Sequence, residues 1–229
     1  MNTIRTITKC SVKQTIFHIM IFIVAGILFG AFAKFIDLNI SKVWLWCGFI
    51  EIGSSFIDWN MGEVLELLDI SNFLGRLSIY ILIGVSISVY SKSPYRASIY
   101  SFIFFMSFVS GYYVYTKYYA GFFPKAYAIV WFIIALISPV FAFICWFSVG
   151  KGKIAMFISS CIIAIMFLTT FSCGWLYIDI ISPLELVTFF AMLLVLRRNY
   201  REMLYVVGIG VAIGMVWSCY RYIIPIGIL

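Results

Sequence analysis

The sequence predicts an all-α membrane protein, a polytopic helical bundle with about seven transmembrane spans. Hydrophobic residues make up 64% of the 229 residues and charged residues 11%, whereas soluble domains are about half apolar and a quarter charged. The mean hydropathy is +1.09. The apolar residues form runs that can cross a bilayer, which requires about 20 residues per helix. Since seven such runs use most of the chain, we expect one integral membrane domain over residues 1–229.

Residues 16–33 form the first predicted span and follow the basic residues Arg5, Lys9 and Lys13. A cleavable signal peptide also begins with basic residues, but its apolar region covers about 7–15 residues and ends in a small-residue cleavage site. The run 16–33 continues without such a site. We therefore expect a retained span whose N-terminus lies in the cytoplasm.

Two pairs of glycines have the GxxxG spacing that allows another helix to approach closely. Gly26 and Gly30 lie in the first predicted span, and Gly210 and Gly214 lie in the last. The repeated spacing suggests that the first and last helices pack together. A homodimer seam is the alternative role for these faces.

Residues 34–72 form the longest polar interval, with six acidic residues against Lys34 and Lys42. Within this interval, residues 43–57 are apolar but short and have Glu51 in the middle, which favours an interfacial or re-entrant segment. Residues 61–70 place leucines and a valine between acids, a pattern typical of a short helix lying on the membrane surface. We therefore expect an outer interfacial segment over 43–70 between the first and second spans.

Six further spans are predicted, over residues 73–90, 97–115, 126–149, 154–178, 183–196 and 203–224. Between the third and fourth lies an aromatic segment, residues 112–127, in which eight of sixteen residues are Tyr or Phe. Aromatic rings concentrate at the boundary between hydrocarbon and water. Gly121 and Pro124 are expected to interrupt the helix there. In the fourth span, Pro139 removes a backbone donor and is expected to kink the helix.

The distribution of charge predicts the topology. With seven spans and the N-terminus inside, the cytoplasmic segments contain ten of the sixteen basic residues and only one acid, Glu202. Those ten are Arg5, Lys9, Lys13, Lys92, Arg96, Lys151, Lys153, Arg197, Arg198 and Arg201. Because cytoplasmic loops carry an excess of Lys and Arg, this distribution predicts an N-in, C-out arrangement.

Known catalytic and metal-binding motifs are absent from the sequence. A single histidine cannot supply the paired imidazoles of a zinc hydrolase, and the six cysteines include no CxxC pair. We predict no catalytic residue, no metal site and no cofactor, and an intramembrane enzyme is the less favoured alternative. The net charge of +7 comes from short basic groups between apolar runs, so we expect no nucleic acid partner. Cys47, Cys173 and Cys219 fall toward the outer face, where a disulfide is one alternative to ordinary packing.

Candidate binding residues lie near the predicted outer boundary, and none of the charged ones lies at mid-span, which disfavours a proton-coupled pump. The functional interpretation is an outward-facing pocket in which aromatic faces and a few charges hold a small polar or amphiphilic molecule. In the alternative, Arg76 and Glu185 pair to anchor helices while the lysines extend to the headgroups. The candidates are Arg76, Lys117, Lys125, Glu185, Tyr112 and Tyr119.

Two segments resemble part of a known family. The sequence YSKSPYRA at 90–97, followed by YYVYTKYYAGFFPKAYAIVW at 112–131, resembles a family of bacterial multispan membrane proteins of unknown function. That resemblance implies a membrane location and no particular activity. The chain is also similar in size, and in its glycine pair on the first helix, to the substrate-binding membrane subunits of energy-coupling vitamin importers, which usually have six spans.

The function predicted from these patterns is non-enzymatic binding or transport of a small molecule by a multi-pass protein of a bacterial plasma membrane. The expected partners are membrane lipid, a small-molecule ligand, and a partner protein or a second copy of the chain. The alternative is a non-transporting membrane subunit or scaffold. In that case the cytoplasmic arginine turn, residues 197–201, would dock a partner or anionic lipid.

Overall fold

The computed structural model describes residues 5–7, 11–47, 70–173 and 177–223, most of which are helical. The α-helices of this part are α1 (Val12–Cys47), α2 (Ile70–Gly75), α3 (Leu77–Tyr90), α4 (Pro94–Tyr115), α5 (Lys125–Trp146), α6 (Lys153–Thr170), α7 (Pro183–Val195) and α8 (Tyr200–Ile223). A π-helical turn, Thr116–Ala120, extends α4, and a 3₁₀ turn, Phe147–Val149, extends α5.

Within these described residues, five helical stretches are long and apolar enough to cross a membrane. They are Val12–Asn39, Pro94–Ala120, Lys125–Val149, Lys153–Thr170 and Tyr200–Tyr220. Two shorter apolar helices, α3 and α7, have 14 and 13 residues, which at 1.5 Å per residue extend about 20 Å of the roughly 30 Å hydrocarbon core. The chain is thus a multi-pass membrane protein, while the seven-span count and the topology stay predictions.

The start of the predicted interfacial segment differs from the expectation. Helix α1 continues from the first predicted span through Cys47, so residues 43–47 belong to a 36-residue helix. No proline or glycine occurs between Ala31 and Cys47 to end it. The rest of the predicted segment that falls within 48–69, including most of the predicted surface helix at 61–70, lies outside the described residues.

Arg76 divides the second predicted span, 73–90, into two helices. The backbone of Arg76 is extended, with φ −89° and ψ 159°, between the end of α2 at Gly75 and the start of α3 at Leu77. Glycine favours a break because it loses more conformational freedom in a helix than other residues. The residues of the predicted second span, 73–90, therefore form two helices and not one continuous helix.

The fifth predicted span, 154–178, was too long. Helix α6 ends at Thr170, and strand β1 (Phe171–Cys173) pairs antiparallel with β2 (Ile178–Ile180). The register places Phe171 opposite Ile180. Aromatic and β-branched residues favour the extended backbone, and apolarity alone did not distinguish this strand pair from the end of a helix. The described residues are thus mostly helical, with one antiparallel pair of short strands.

Residue contacts divide the chain into two compact units. The first unit comprises Met1–Thr8, Arg76–Ala97 and Phe141–Leu229, and the second comprises Lys9–Gly75 and Ser98–Val140. The prediction of one membrane domain stays a prediction.

The first unit has a core built from α3, α6, α7 and α8. Buried residues of this core include Val89, Ile163, Met192 and Val206. The glycine pair of α8 faces α6, since a Cβ on Gly210 would lie 2.8 Å from the carbonyl oxygen of Ser160, and one on Gly214 would lie 2.6 Å from the Phe167 ring. Sequence numbers rise together along α6 and α8, so the two helices run parallel.

In the second unit, the glycine pair of α1 faces α4. A Cβ on Gly26 would lie 2.6 Å from the carbonyl oxygen of Phe104, and one on Gly30 would collide with the carbonyl oxygen of Phe108. Helices α1 and α4 therefore touch along their backbones and run parallel. The glycine pairs pack on α4 and α6 respectively, so the suggested role for them in joining the first helix to the last was wrong.

Arginines of the first unit bind carbonyl groups at helix ends. The Arg5 guanidinium donates to the carbonyls of Val89 at 2.6 Å and Trp146 at 2.7 Å, which are the last residue but one of α3 and the last residue of α5. It also lies 4.6 Å from the Trp146 ring centroid. Burial lowers the pKa of Arg5, but arginine stays protonated in proteins. These bonds satisfy carbonyls that have no partner within a helix.

Candidate functional site

The six predicted binding residues fall into two groups, one in each unit. The first unit contains Arg76 and Glu185, and the second contains Tyr112, Lys117, Tyr119 and Lys125. The division into two units does not test the expectation that these residues form one outward-facing pocket.

A groove with a volume of about 560 Å³ lies between α1 and α4 in the second unit. Helix α1 contributes Ile27 and Ala31, α4 contributes Ser110, Gly111, Val114 and Tyr115, and the π-helical turn contributes Tyr118 and Tyr119. The two helices touch at Gly111, where an added Cβ would lie 2.6 Å from the carbonyl oxygen of Ile27. This contact forms the bottom of the groove. Of the predicted residues, Tyr119 lines this groove, which we call the tyrosine groove.

The π-helical turn places the tyrosine rings at one end of the groove. The Thr116 hydroxyl donates to the carbonyl of Tyr112 at 2.8 Å, and Gly121 ends the turn with φ 72°, a left-handed conformation that glycine adopts without strain. Within the turn, Tyr119 stacks on Tyr115 with ring centroids 4.3 Å apart. Tyr118 and Tyr119 remain more than 70% exposed. Short π-helical insertions occur frequently at functional sites.

Two predicted lysines are close in sequence to the tyrosines of this end. Lys117 belongs to the π-helical turn and Lys125 begins α5, and both are exposed. The segment 112–127 contains no Asp or Glu. Neither lysine lines the groove, but exposed aromatic rings and positive charge are neighbours along this segment.

Tyr112 contacts Lys34 of α1, a residue that was not among the predicted binding residues. Lys34 of α1 is only 6% exposed, and its ammonium lies 2.5 Å from the Asp37 carboxylate. The same ammonium lies 5.3 Å from the Tyr112 ring centroid and 5.7 Å from that of Phe122. These are cation–π distances. The i,i+3 spacing of Lys34 and Asp37 after the first apolar run was the available signal, and the contact joins α1 to α4 and to the following loop.

In the first unit, Arg76 and Glu185 lie close together, as in the alternative interpretation of the sequence. Nη1 of Arg76 is 3.9 Å from Oε1 of Glu185. The Glu185 side chain is completely buried, whereas that of Arg76 is 32% exposed. The pair links the break before α3 to the first turn of α7, where Ser182 is the N-cap and Pro183 the first helical residue.

Hydroxyl groups surround the backbone of Glu185. Thr188 donates to its carbonyl oxygen at 2.7 Å and Thr170 at 3.3 Å, while the N–H of Ile181 donates to the carbonyl of Thr170 at 3.0 Å. These bonds join the end of α6, the strand pair and the start of α7. Neither carboxyl oxygen of Glu185 has a hydrogen-bond partner among the described residues.

The described part of the chain holds neither a metal-binding cluster nor a disulfide. Those residues contain no cluster of three or more His, Cys, Asp or Glu side chains that could hold a metal ion. Cys173 and Cys219 are both free, so the alternative of a disulfide between these two was wrong. The side chain of Cys47 lies outside the described part.

No known protein family, curated protein or solved structure matches the chain. The two resemblances noted in the sequence therefore stay predictions.

Proposed function

We propose that the chain binds, or moves across the membrane, an amphiphilic small molecule with an apolar chain and an anionic head, held in the tyrosine groove of the second unit. The observation that carries this proposal is the groove itself. Its volume of about 560 Å³ falls in the usual range for ligand sites, about 300–1,000 Å³. An amphiphile fits because the lining changes in character along the groove.

The deeper part of the groove suits an apolar chain. Ile27, Ala31, Gly111 and Val114 provide a surface without charge. From Ser110 to the end of the π-helical turn the helical path is ten residues, or roughly 15 Å at 1.5 Å per residue. A chain of several methylene groups can therefore lie along α4 with its head at the tyrosines.

The aromatic end suits an anionic head. Tyr118 and Tyr119 offer hydroxyl donors, and Lys117 and Lys125 offer positive charge with no acid in the same segment. A lysine near a membrane surface attracts an anion by about 1 kcal/mol. Head recognition is therefore assigned to the π-helical turn and chain recognition to α1 and α4.

The proposed membrane arrangement is the seven-span, N-in, C-out topology, in a bacterial plasma membrane. The parallel direction of α1 and α4 supports this arrangement, because the map has the first and third spans crossing in the same direction. The parallel pair α6 and α8 agrees in the same way with the fifth and seventh spans. In this orientation the aromatic end of the groove faces outward.

Two probes and two variants test the proposal. Oleate and oleyl alcohol share a chain and differ in the charge of the head, and native mass spectrometry of the purified protein measures the retention of each. Ser110→Phe, at an exposed position of α4, fills the groove and should abolish retention of both. Lys117→Gln should lower retention of oleate about fivefold, the equivalent of 1 kcal/mol, and leave that of oleyl alcohol unchanged.

Matched controls separate groove binding from general adsorption. Ile133→Phe adds a similar ring at an exposed position of α5 outside the groove, and Lys153→Gln removes an exposed charge from the start of α6. Neither should alter retention. Equal retention of oleate by wild type and Ser110→Phe would contradict the proposal. If the protein moves its ligand, proteoliposomes should take up oleate saturably and lose that uptake with Ser110→Phe.

A non-transporting subunit is the second candidate, and the exposed arginines of the turn 197–201 favour it. Arg198 is engaged internally, because its guanidinium donates to the carbonyls of Ser148 and Gly150 and pairs with Glu202. Arg197 and Arg201 remain exposed. A protein that copurifies with wild type and is lost when both are changed to Gln would favour this candidate.

A further inference from the structure

Glu185 is an acidic side chain enclosed in an apolar part of the first unit. Its relative exposure is 0%, and it is the only ionisable residue of α7, PLELVTFFAMLLV. A charged carboxylate without hydrogen bonds is costly to bury, whereas its neutral form is much less so. The neutral form is therefore favoured by burial.

Arg76 favours the opposite form. Its Nη1 atom lies 3.9 Å from Oε1, close enough for a positive charge to stabilise the carboxylate. The guanidinium is partly exposed, so water screens part of this attraction. Burial and the ion pair thus act in opposite directions on one carboxyl group.

The elements packed against α7 carry few other ionisable groups. Helix α7 contacts α3, α6 and β2. On the α3 side, Tyr80 follows Arg76 by one turn and is buried. The last two turns of α6 contain no ionisable residue. On β2, Asp179 is exposed and accepts a hydrogen bond from the N–H of Ile180. Arg76 is therefore the charged partner that the described contacts give Glu185.

The hydroxyl of Ser78 is a neighbour of the carboxyl that can hydrogen-bond to either of its forms. Ser78 is fully buried beside Glu185, and its Oγ has no hydrogen-bond partner among the described residues. A hydroxyl can donate to a carboxylate and can accept from a neutral carboxylic acid. One neighbour can thus serve both protonation states after a small rotation.

We propose that Glu185 is a proton-binding site, which exchanges between a carboxylate paired with Arg76 and a neutral acid hydrogen-bonded to Ser78. This site is separate from the tyrosine groove and belongs to the other unit. Ionisable groups buried in membrane proteins commonly mark proton paths. The first unit would then contain a proton-binding site. The absence of charged candidates at mid-span had instead disfavoured a proton-coupled pump.

The first test is labelling by dicyclohexylcarbodiimide of the full protein in liposomes. This apolar reagent reacts with a neutral carboxylic acid: the acid O–H adds across one C=N bond, and the adduct rearranges to an N-acylurea without a leaving group. Peptide mass spectrometry should find Glu185 labelled, with labelling falling about tenfold per pH unit above its midpoint. Glu202, which is exposed and paired with Arg198, serves as the internal control and should remain unlabelled.

Infrared difference spectroscopy tests the same proton without depending on access of the reagent. A change between about pH 4 and pH 9, which brackets ordinary and buried carboxyl groups, should produce the C=O stretch of a neutral acid. Glu185→Gln should remove that band, and Glu202→Gln should leave it. Arg76→Met should raise the pH midpoint of this band by about 1–3 pH units. If Arg76→Met does not fold, the comparison of wild type with Glu185→Gln is sufficient to test the proposal. Absence of a band that depends on Glu185 would overturn the proposal.

Discussion

The contact between α1 and α4 predicts that a side chain at position 26, in place of Gly26, destabilises the protein. A Cβ at this position would lie 2.6 Å from the carbonyl oxygen of Phe104 and 2.8 Å from the Cβ of Ser107. An ordinary carbon–oxygen contact between helices is about 3.3–3.6 Å. In Gly26→Ala the two helices must therefore separate or rotate by roughly 0.7–1.0 Å, because the nearest obstacle is backbone and cannot change rotamer.

The magnitude follows from this displacement. A gap of about 0.5–1 Å removes a quarter to a half of the dispersion energy between the atoms concerned, and overpacking of this kind costs about 1–3 kcal/mol. Alanine favours the helix over glycine by at most about 1 kcal/mol, which offsets only part of that loss. We expect Gly26→Ala to lower the free energy of unfolding by about 1–2 kcal/mol.

Gly208 provides a matched control for the same substitution. It lies in α8, and a Cβ added there would have no neighbouring atom within 4 Å. Gly208→Ala has the same gain in helix propensity without the collision, so we expect it to be neutral or stabilising by up to about 1 kcal/mol. Unfolding by sodium dodecyl sulfate in mixed micelles, followed by tryptophan fluorescence, measures both variants. Equal stability of the two would refute the backbone contact at Gly26.

Two further predictions concern hydrogen bonds at helix carbonyls, and the same unfolding assay measures both. Pro139 has no N–H for the carbonyl of Ala135, which instead accepts from the Ser138 hydroxyl at 2.8 Å, so Ser138→Ala should cost about 1 kcal/mol. Adding Pro139→Ala to Ser138→Ala should recover the lost free energy of unfolding, because alanine supplies an N–H for the Ala135 carbonyl. A double variant no more stable than Ser138→Ala would count against this explanation. Arg198→Met should cost about 1.5–3 kcal/mol, because it removes charged hydrogen bonds to two carbonyls after α5. Arg197→Met, at an exposed neighbour, should stay within about 0.5 kcal/mol, and equal losses would show that Arg198 has no special role.

The helix break at Arg76 was not predicted from the sequence. The residues on both sides are apolar enough for one continuous span, and the sequence contains no proline there. The contact that coincides with the break is 109 residues away along the chain, at Glu185. The sequence suggested that ion pair, and Gly75 is the local feature at the break, but glycine is common in membrane helices and so did not predict the break.

The candidate site was likewise only partly predictable. Tyr119, which lines the groove, was chosen because aromatic and basic residues cluster at 112–127, whereas Lys117 stays a prediction. Ile27 and Gly111 were missed as groove residues, since an aliphatic residue and a glycine in apolar runs have no feature that marks a ligand site. Lys34 was missed as a partner of Tyr112 because the two are far apart in the chain.

Hydrophobicity by itself determined that this chain is a multi-pass helical membrane protein, because a long apolar run is stable only when its backbone groups bond within a helix in lipid. It also located most helix ends, since Gly121, Pro124 and the basic turns interrupt those runs. Only the tertiary structure decided which helices are neighbours. Lipid is as apolar as another helix, so the choice of partner depends on close packing at small residues such as Gly26 and on a few polar contacts such as that of Glu185 with Arg76.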